Sequence, residues 1–166
     1  MAVRKIRIYP DPVLKEICTP VERLDAETDG LIQDLIDTMI DAGHSVGVAA
    51  PQIGVTRRVV VVDVSASKMG KDNNHGLLTM INPEIIRREG SKVMREGCMS
   101  VPDYTGNVTR AKSIVVQFLD RDGRERVINS KGFEAIAIQH ELDHLDGFLF
   151  LDRVSSLKTD IFRRKG

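Results

Sequence analysis

His140-Glu141-Leu142-Asp143-His144 lies in a segment patterned as an α-helix from about Lys131 to Asp146. One helical turn separates the two histidines, so both imidazoles leave the same face. That spacing suits neighbouring ligands on one metal ion, and Glu141 beside them is placed to act as a general base toward water. Phe133, Ile136, Ala137, His140, Glu141 and His144 share the inward side of this helix. Ser130 is expected to cap it and Gly147 to stop it. Many hydrolases carry His-Glu-x-x-His, and the third ligand separates them.

One class of metallopeptidase continues the pattern to x-x-Gly-x-x-His. Here Gly147 fits, but the next ligand position is Phe150. A second class takes a downstream Glu, and no Glu follows His144. The third ligand therefore lies upstream. Cys98, in Glu96-Gly97-Cys98-Met99-Ser100, is the best candidate, because a glycine beside it lets backbone approach a metal or substrate closely. Two imidazoles and one thiolate leave a fourth position for water, as a catalytic rather than a structural site does. His44 is the residual alternative. His75, in the polar loop Lys68 to Gly76, reads as a solvated side chain.

Elsewhere, Asp11-Pro12 marks a helix start with Val13, Leu14 and Ile17 as its apolar side. A longer helix is expected from about Thr28 to Ala42, with Leu31, Leu35, Ile36, Met39 and Ile40 inward and Gly43 as its stop. Val59 to Val64 reads as a strand buried on both faces, and Leu77 to Asn82 as a strand ended by Pro83. Ser113 to Leu119 and Glu125 to Ile128 form a hairpin about Asp120-Arg121-Asp122-Gly123. A short final helix is expected over Ser156 to Arg164.

Length and composition are those of a single ordinary globular domain, able to bury about two thirds of its unfolded surface. The 24 basic and 24 acidic residues cancel, so neither a nucleic-acid nor a membrane-surface partner is indicated. No apolar run approaches the roughly 20 residues of a membrane span, and Met1 to Ile8 lacks a signal-peptide core. The basic run Arg163-Arg164-Lys165 reads as a solvated tail. A cytoplasmic location is expected, where Cys18 and Cys98 stay reduced; Cys18 reads as a small, partly buried side chain.

Three blocks in order make the chain resemble the peptide deformylases: Val46-Gly47-Val48-Ala49-Ala50-Pro51-Gln52, Glu96 to Ser100, and Gln139 to His144. The similarity runs from Tyr9-Pro10-Asp11-Pro12 to Leu151. Two residues depart from it: Met99 replaces the usual leucine, a mild change since its backbone N–H is what matters, and Ser45 is the larger departure. Ser45 stands where the family has glycine; if the position needs a positive φ, serine costs about 1 kcal/mol or more.

The resemblance implies an α+β fold in one domain, residues 1–166, with antiparallel β-sheets packed around a central C-terminal helix that carries the metal motif. It implies removal of the N-formyl group from the formyl-methionine of newly made polypeptides, near the ribosome. Cys98, His140 and His144 would be the ligands, and Glu141, Gln52 and the Met99 N–H the catalytic groups. Val46, Gly47 and Gly97 would bind the peptide backbone, with Phe133, Ile136 and Ala137 about the methionine side chain. For these apolar residues core packing is the competing reading. Glu96 would pair with Arg110 to orient the cysteine loop. Fe²⁺ would be the working ion, although the ligand set alone suits Zn²⁺, and Ni²⁺ or Co²⁺ could occupy the purified protein. Two other readings compete: a peptidase cutting internal bonds, and an inert metal-binding module. The second predicts a missing base or oxyanion donor, yet Glu141 and Gln52 are both present.

Overall fold

The computed structural model describes residues 2–164. Helix α1 (Ala26–Ala42) opens on Asp25, whose carboxylate accepts from Thr28 N, and closes on Gly43 at φ +78. Leu31, Leu35, Ile36 and Met39 face the core, whereas Ile40 is 68% exposed, contrary to the helical reading. The strands are β1 (Gly47–Ala49), β2 (Val59–Val62), β3 (Leu78–Glu89), β4 (Lys92–Cys98), β5 (Val101–Arg110), β6 (Ser113–Leu119), β7 (Glu125–Lys131) and β8 (Ile161–Arg163). Helix α2 (Gly132–Leu145) carries the His-Glu motif. One sheet has the order β1-β2-β3-β6-β7, a smaller one β4-β5-β8, and every pairing is antiparallel. The fold is α+β, with antiparallel sheets about the C-terminal helix.

Successive side chains of a strand leave opposite faces. Val60 and Val62 accordingly join Ile138, Leu142 and Leu145 of α2 in one apolar cluster, while Val59 and Val61 join Leu35 and Met39 of α1 in another. The four valines are all buried for this reason, as the unbroken apolar run suggested. The motif helix is thus pressed against one face of the large sheet, chiefly along β1 and β2. Gln139 fixes it further: its Oε1 accepts from Ala111 N at 3.0 Å and its Nε2 donates to Ala111 O at 2.9 Å.

Several local expectations are corrected. The Asp11-Pro12 start leads only to a 3-10 turn, Pro12–Lys15; Leu14 is buried but Ile17 is 75% exposed. Pro83 does not end its strand. The β3–β6 register breaks between Ile81 and Glu84, and Asn82 adopts φ +51, so the missing proline N–H falls where the ladder is already interrupted. Ser130 is not the cap of α2. It lies buried in β7, with its Oγ donating to Glu134 Oε1 at 2.8 Å, and Lys131 occupies the cap position. The final segment forms β8 on the edge of β5 rather than a helix, pairing Thr105 with Phe162. Lys165 lies outside the described residues.

Gly147 follows α2 at φ +80, and a Cβ there would stand 2.5 Å from Lys15 O. Backbone strain and a backbone clash combine at this position. Gly147→Ala is expected to cost roughly 2 kcal/mol or more, visible as a lower urea midpoint at unchanged slope.

Candidate metal centre and active site

Helix α2, the end of β4 and the β1 loop converge on one cleft of about 480 Å³. Val46, Gly47, Gln52, Gly97, Cys98, Met99, Phe133, Ile136, Ala137, His140 and Glu141 all line it. His144 sits behind that wall, 1% exposed. His44 stands at the mouth but outside the donor cluster, and Met69, Met94, Arg95, Pro102 and Arg164 complete the walls without having been foreseen.

The donor atoms of Cys98, His140 and His144 lie within 4.8 Å of one another. Cys98 Sγ and His144 Nε2 are 3.5 Å apart. A tetrahedral ion with bonds of about 2.3 Å to sulfur and 2.0 Å to nitrogen holds such a pair roughly 3.5 Å apart, so these residues fit a metal. His140 presents its Nδ1 to Glu96 Oε1 at 2.8 Å, which leaves Nε2 free to coordinate. Glu96 in turn accepts both Nε and Nη2 of Arg110, at 2.6 and 2.9 Å, and Arg110 Nη1 donates to Asp143 Oδ2 at 2.8 Å. The expected Glu96–Arg110 pair is therefore present, and Asp143 extends it. Asp143 was legible only as a letter of the third block; its partner is far away in sequence.

Gln52 is oriented from both ends. Its Oε1 accepts from Ala49 N at 2.9 Å, and its Nε2 donates to Ser100 Oγ at 3.1 Å and approaches Cys98 Sγ at 3.4 Å. Gly47 lets β1 pass directly against Glu141, since a Cβ there would lie 2.8 Å from Glu141 Oε2. Ser45 carries no strain: Asn82 is the one non-glycine with positive φ among the described residues, and Ser45 Oγ donates to Gly47 O at 3.0 Å.

Burial pushes the Glu141 carboxyl up to about 7, and its Oε1 has no hydrogen-bond partner among the described residues. Burial, with the nearby charges of His140 and Arg110, holds His144 well below its usual value and therefore neutral, as a ligand must be. Burial also opposes charge on His140, but contacts with Cys98 and Glu96 outweigh it and raise that imidazole. Cys18 lies elsewhere, packed in the core below α2, with its thiol pushed up to about 11 by burial. His75 is not simply solvated: its Nδ1 and backbone N lie 2.5 and 2.6 Å from the Glu134 carboxylate.

The sequence model of the family described as polypeptide deformylase matches residues 3–160. The chain belongs to that family. Peptide deformylase of Thermodesulfovibrio yellowstonii is 42% identical over 165 residues, covering 99% of this chain and 97% of its own. That of Rhizobium meliloti is 43% identical over 166 residues, covering 99% and 92%. The crystal structure of the Legionella pneumophila deformylase superposes with a TM-score of 0.86 at 43% identity, over 95% of this chain and 89% of its own. The Ehrlichia chaffeensis deformylase in complex with actinonin gives 0.88 at 36% identity, over 95% and 92%. The deformylase family consists of metal-dependent hydrolases that remove the N-formyl group from nascent polypeptides, and this chain is a peptide deformylase of that kind.

Proposed function

We propose that residues 1–166 act as one catalytic domain in which Cys98, His140 and His144 hold a divalent cation, Fe²⁺ in the working enzyme. Zn²⁺, Ni²⁺ or Co²⁺ can replace it in purified protein. The convergence of these three donor atoms within 4.8 Å, beside an unpartnered buried carboxylate, carries the reading. A cation bound there supplies positive charge that acidifies water and polarises a carbonyl oxygen.

The formyl-methionyl peptide enters extended, its backbone against Val46, Gly47 and Gly97, its methionine side chain toward Phe133, Ile136 and Ala137. Glu141 takes the proton from the attacking water as its oxygen adds to the formyl carbon. Gln52 Nε2 and the Met99 N–H donate to the oxygen that gathers negative charge. Glu141 then hands the proton to the departing amine. The C–N bond breaks, giving formate and a free N-terminus. The substrates are nascent chains near the ribosome, met in the cytoplasm without direct nucleic-acid binding. Among the described residues no helix is long and apolar enough to cross a membrane.

Formyl-Met-Ala-Ser and acetyl-Met-Ala-Ser test the reading. Acetyl adds a methyl to the carbon under attack, on the side crowded by the Val46-to-Gln52 loop, and a misplacement of about 1 Å costs on the order of a hundredfold. Formate release should exceed acetate release by about that factor in kcat/KM. Equal rates would sink the proposal, and internal cleavage of the acetyl peptide would favour a peptidase.

The two cysteines should separate cleanly. Cys98→Ala is expected to lose bound metal in elemental analysis. Cys18→Ala is expected to keep it, because a buried thiol held near 11 stays protonated away from the cluster.

A further inference from the structure

The reaction accounts for the floor of the cleft but not for its rim, where two exposed guanidinium groups stand, Arg95 on β4 and Arg164 just past β8. The β5–β8 pairing brings them together. Tyr104 pairs with Arg163, and Arg164 N donates to Asp103 O at 2.7 Å. Arg95 lies 3.8 Å over the Phe162 ring, which fixes its direction. Arg164 Nη2 occupies the space that a Cβ on residue 97 would need, so glycine at 97 opens the slot in which it rests.

Among the described residues, no carboxylate lies within 4.0 Å of either group. The acids that face the cleft are buried, and Glu96 is already held by Arg110 and His140. Among the described residues the rim therefore carries positive charge that no carboxylate compensates. Gly97 adjoins Cys98, and an extended chain advances about 3.3 Å per residue. A peptide leaving the donor cluster along β4 thus passes these charges within its first one or two residues.

We propose that Arg164, supported by Arg95, determines substrate specificity by receiving an acidic side chain at the first or second position after formyl-methionine. The proposal rests on the deformylase reading above. A guanidinium presents a planar fork that fits a carboxylate, and the partner approaches from solvent, so the preference is modest and sensitive to salt.

The test compares kcat/KM for formate release from formyl-Met-Asp-Ser-amide and formyl-Met-Ala-Asp-amide with their lysine counterparts and with formyl-Met-Ala-Ser-amide. The amides remove the terminal carboxylate. At low salt, one aspartate peptide should exceed its lysine counterpart by about three- to tenfold, with the ratio falling toward one as salt is raised. Arg164→Gln should bring the ratio near one, and Arg164→Glu should invert it. A merely structural role would move all the peptides alike. No charge preference in the unaltered enzyme at low salt, or a preference that survives Arg164→Glu, would overturn the proposal. Formate release from none of the peptides would overturn the deformylase reading, and this inference with it.

Discussion

Glu141→Gln is expected to lower kcat/KM for formyl-Met-Ala-Ser by about a hundred- to ten-thousandfold, the range that general acid–base catalysis supplies. Glutamine has nearly the same shape, so the site should survive. Glu141 is 4% exposed, lies against Gly47, and is not one of the three clustered donors. Metal content and Tm should therefore stay close to those of the unaltered enzyme. Burial holds the carboxyl at about 7, where proton exchange with water near neutral pH is well matched. A nearby cation can only draw that value down. In the unaltered enzyme kcat/KM should fall as pH drops through the carboxyl's value, because the protonated acid cannot accept. Elemental analysis alongside the rate separates the two roles. Lost metal would make Glu141 a ligand, and a near-normal rate would leave the proton without this acceptor.

Arg110→Met is expected to destabilise the protein by about 3–5 kcal/mol. Arg110 and Glu96 are both buried and bonded through two nitrogens, and the remaining nitrogen reaches Asp143. Methionine fills much of the volume but leaves Glu96 and Asp143 without the cation between them. At roughly 2–4 °C per kcal/mol for a chain of this size, Tm should fall by about 6–20 °C. A fall below 2 °C would show that His140 and Arg153, the other partners of these carboxylates, suffice. The variant should also release metal more readily to a chelator, because Glu96 orients His140, and loss of such support typically weakens affinity about 10–100-fold. Burial alone would raise the Glu96 carboxyl, but hydrogen bonds from His140 and Arg110 prevail and hold it below 4.5. A depressed carboxyl stabilises the fold above its unfolded value and loses that contribution as pH falls through the folded one. Acid destabilisation below about pH 4.5 should accordingly be shallower in the variant.

The legible parts of the fold were those where burial imposes a period. Helix α1, the valine strand β2 and the β6–β7 hairpin all pack an apolar face against the core, and each was readable to within a few residues. Strands β4 and β8 and the second half of β3 were not. Lys92 to Arg95 and Ile86 to Glu89 are mostly exposed, so nothing in their side chains records the ladder that holds them. Phe162 and Ile161 showed no period-two pattern, and edge pairing with β5 settled their conformation. At the site, types and order were legible because the chemistry demands particular atoms. What escaped was support from a distance: Asp143 on Arg110, Ser100 under Gln52, and Glu134 on His75, each joined through folding rather than spacing.

The burial of α2 between the sheet and the β4–β5 hairpin has a thermodynamic consequence. His140 and His144 belong to the middle of a helix pinned by Gln139, and Cys98 closes a hairpin pinned by Arg110. Neither half can swing aside without breaking core contacts. Occupancy of the centre and integrity of the whole chain are therefore linked, and a tightly held ion at a hundred times its dissociation constant would add about 2.7 kcal/mol against global unfolding. If these three residues hold the ion as proposed, metal supply would govern how much of the chain stays folded as well as how fast it turns over.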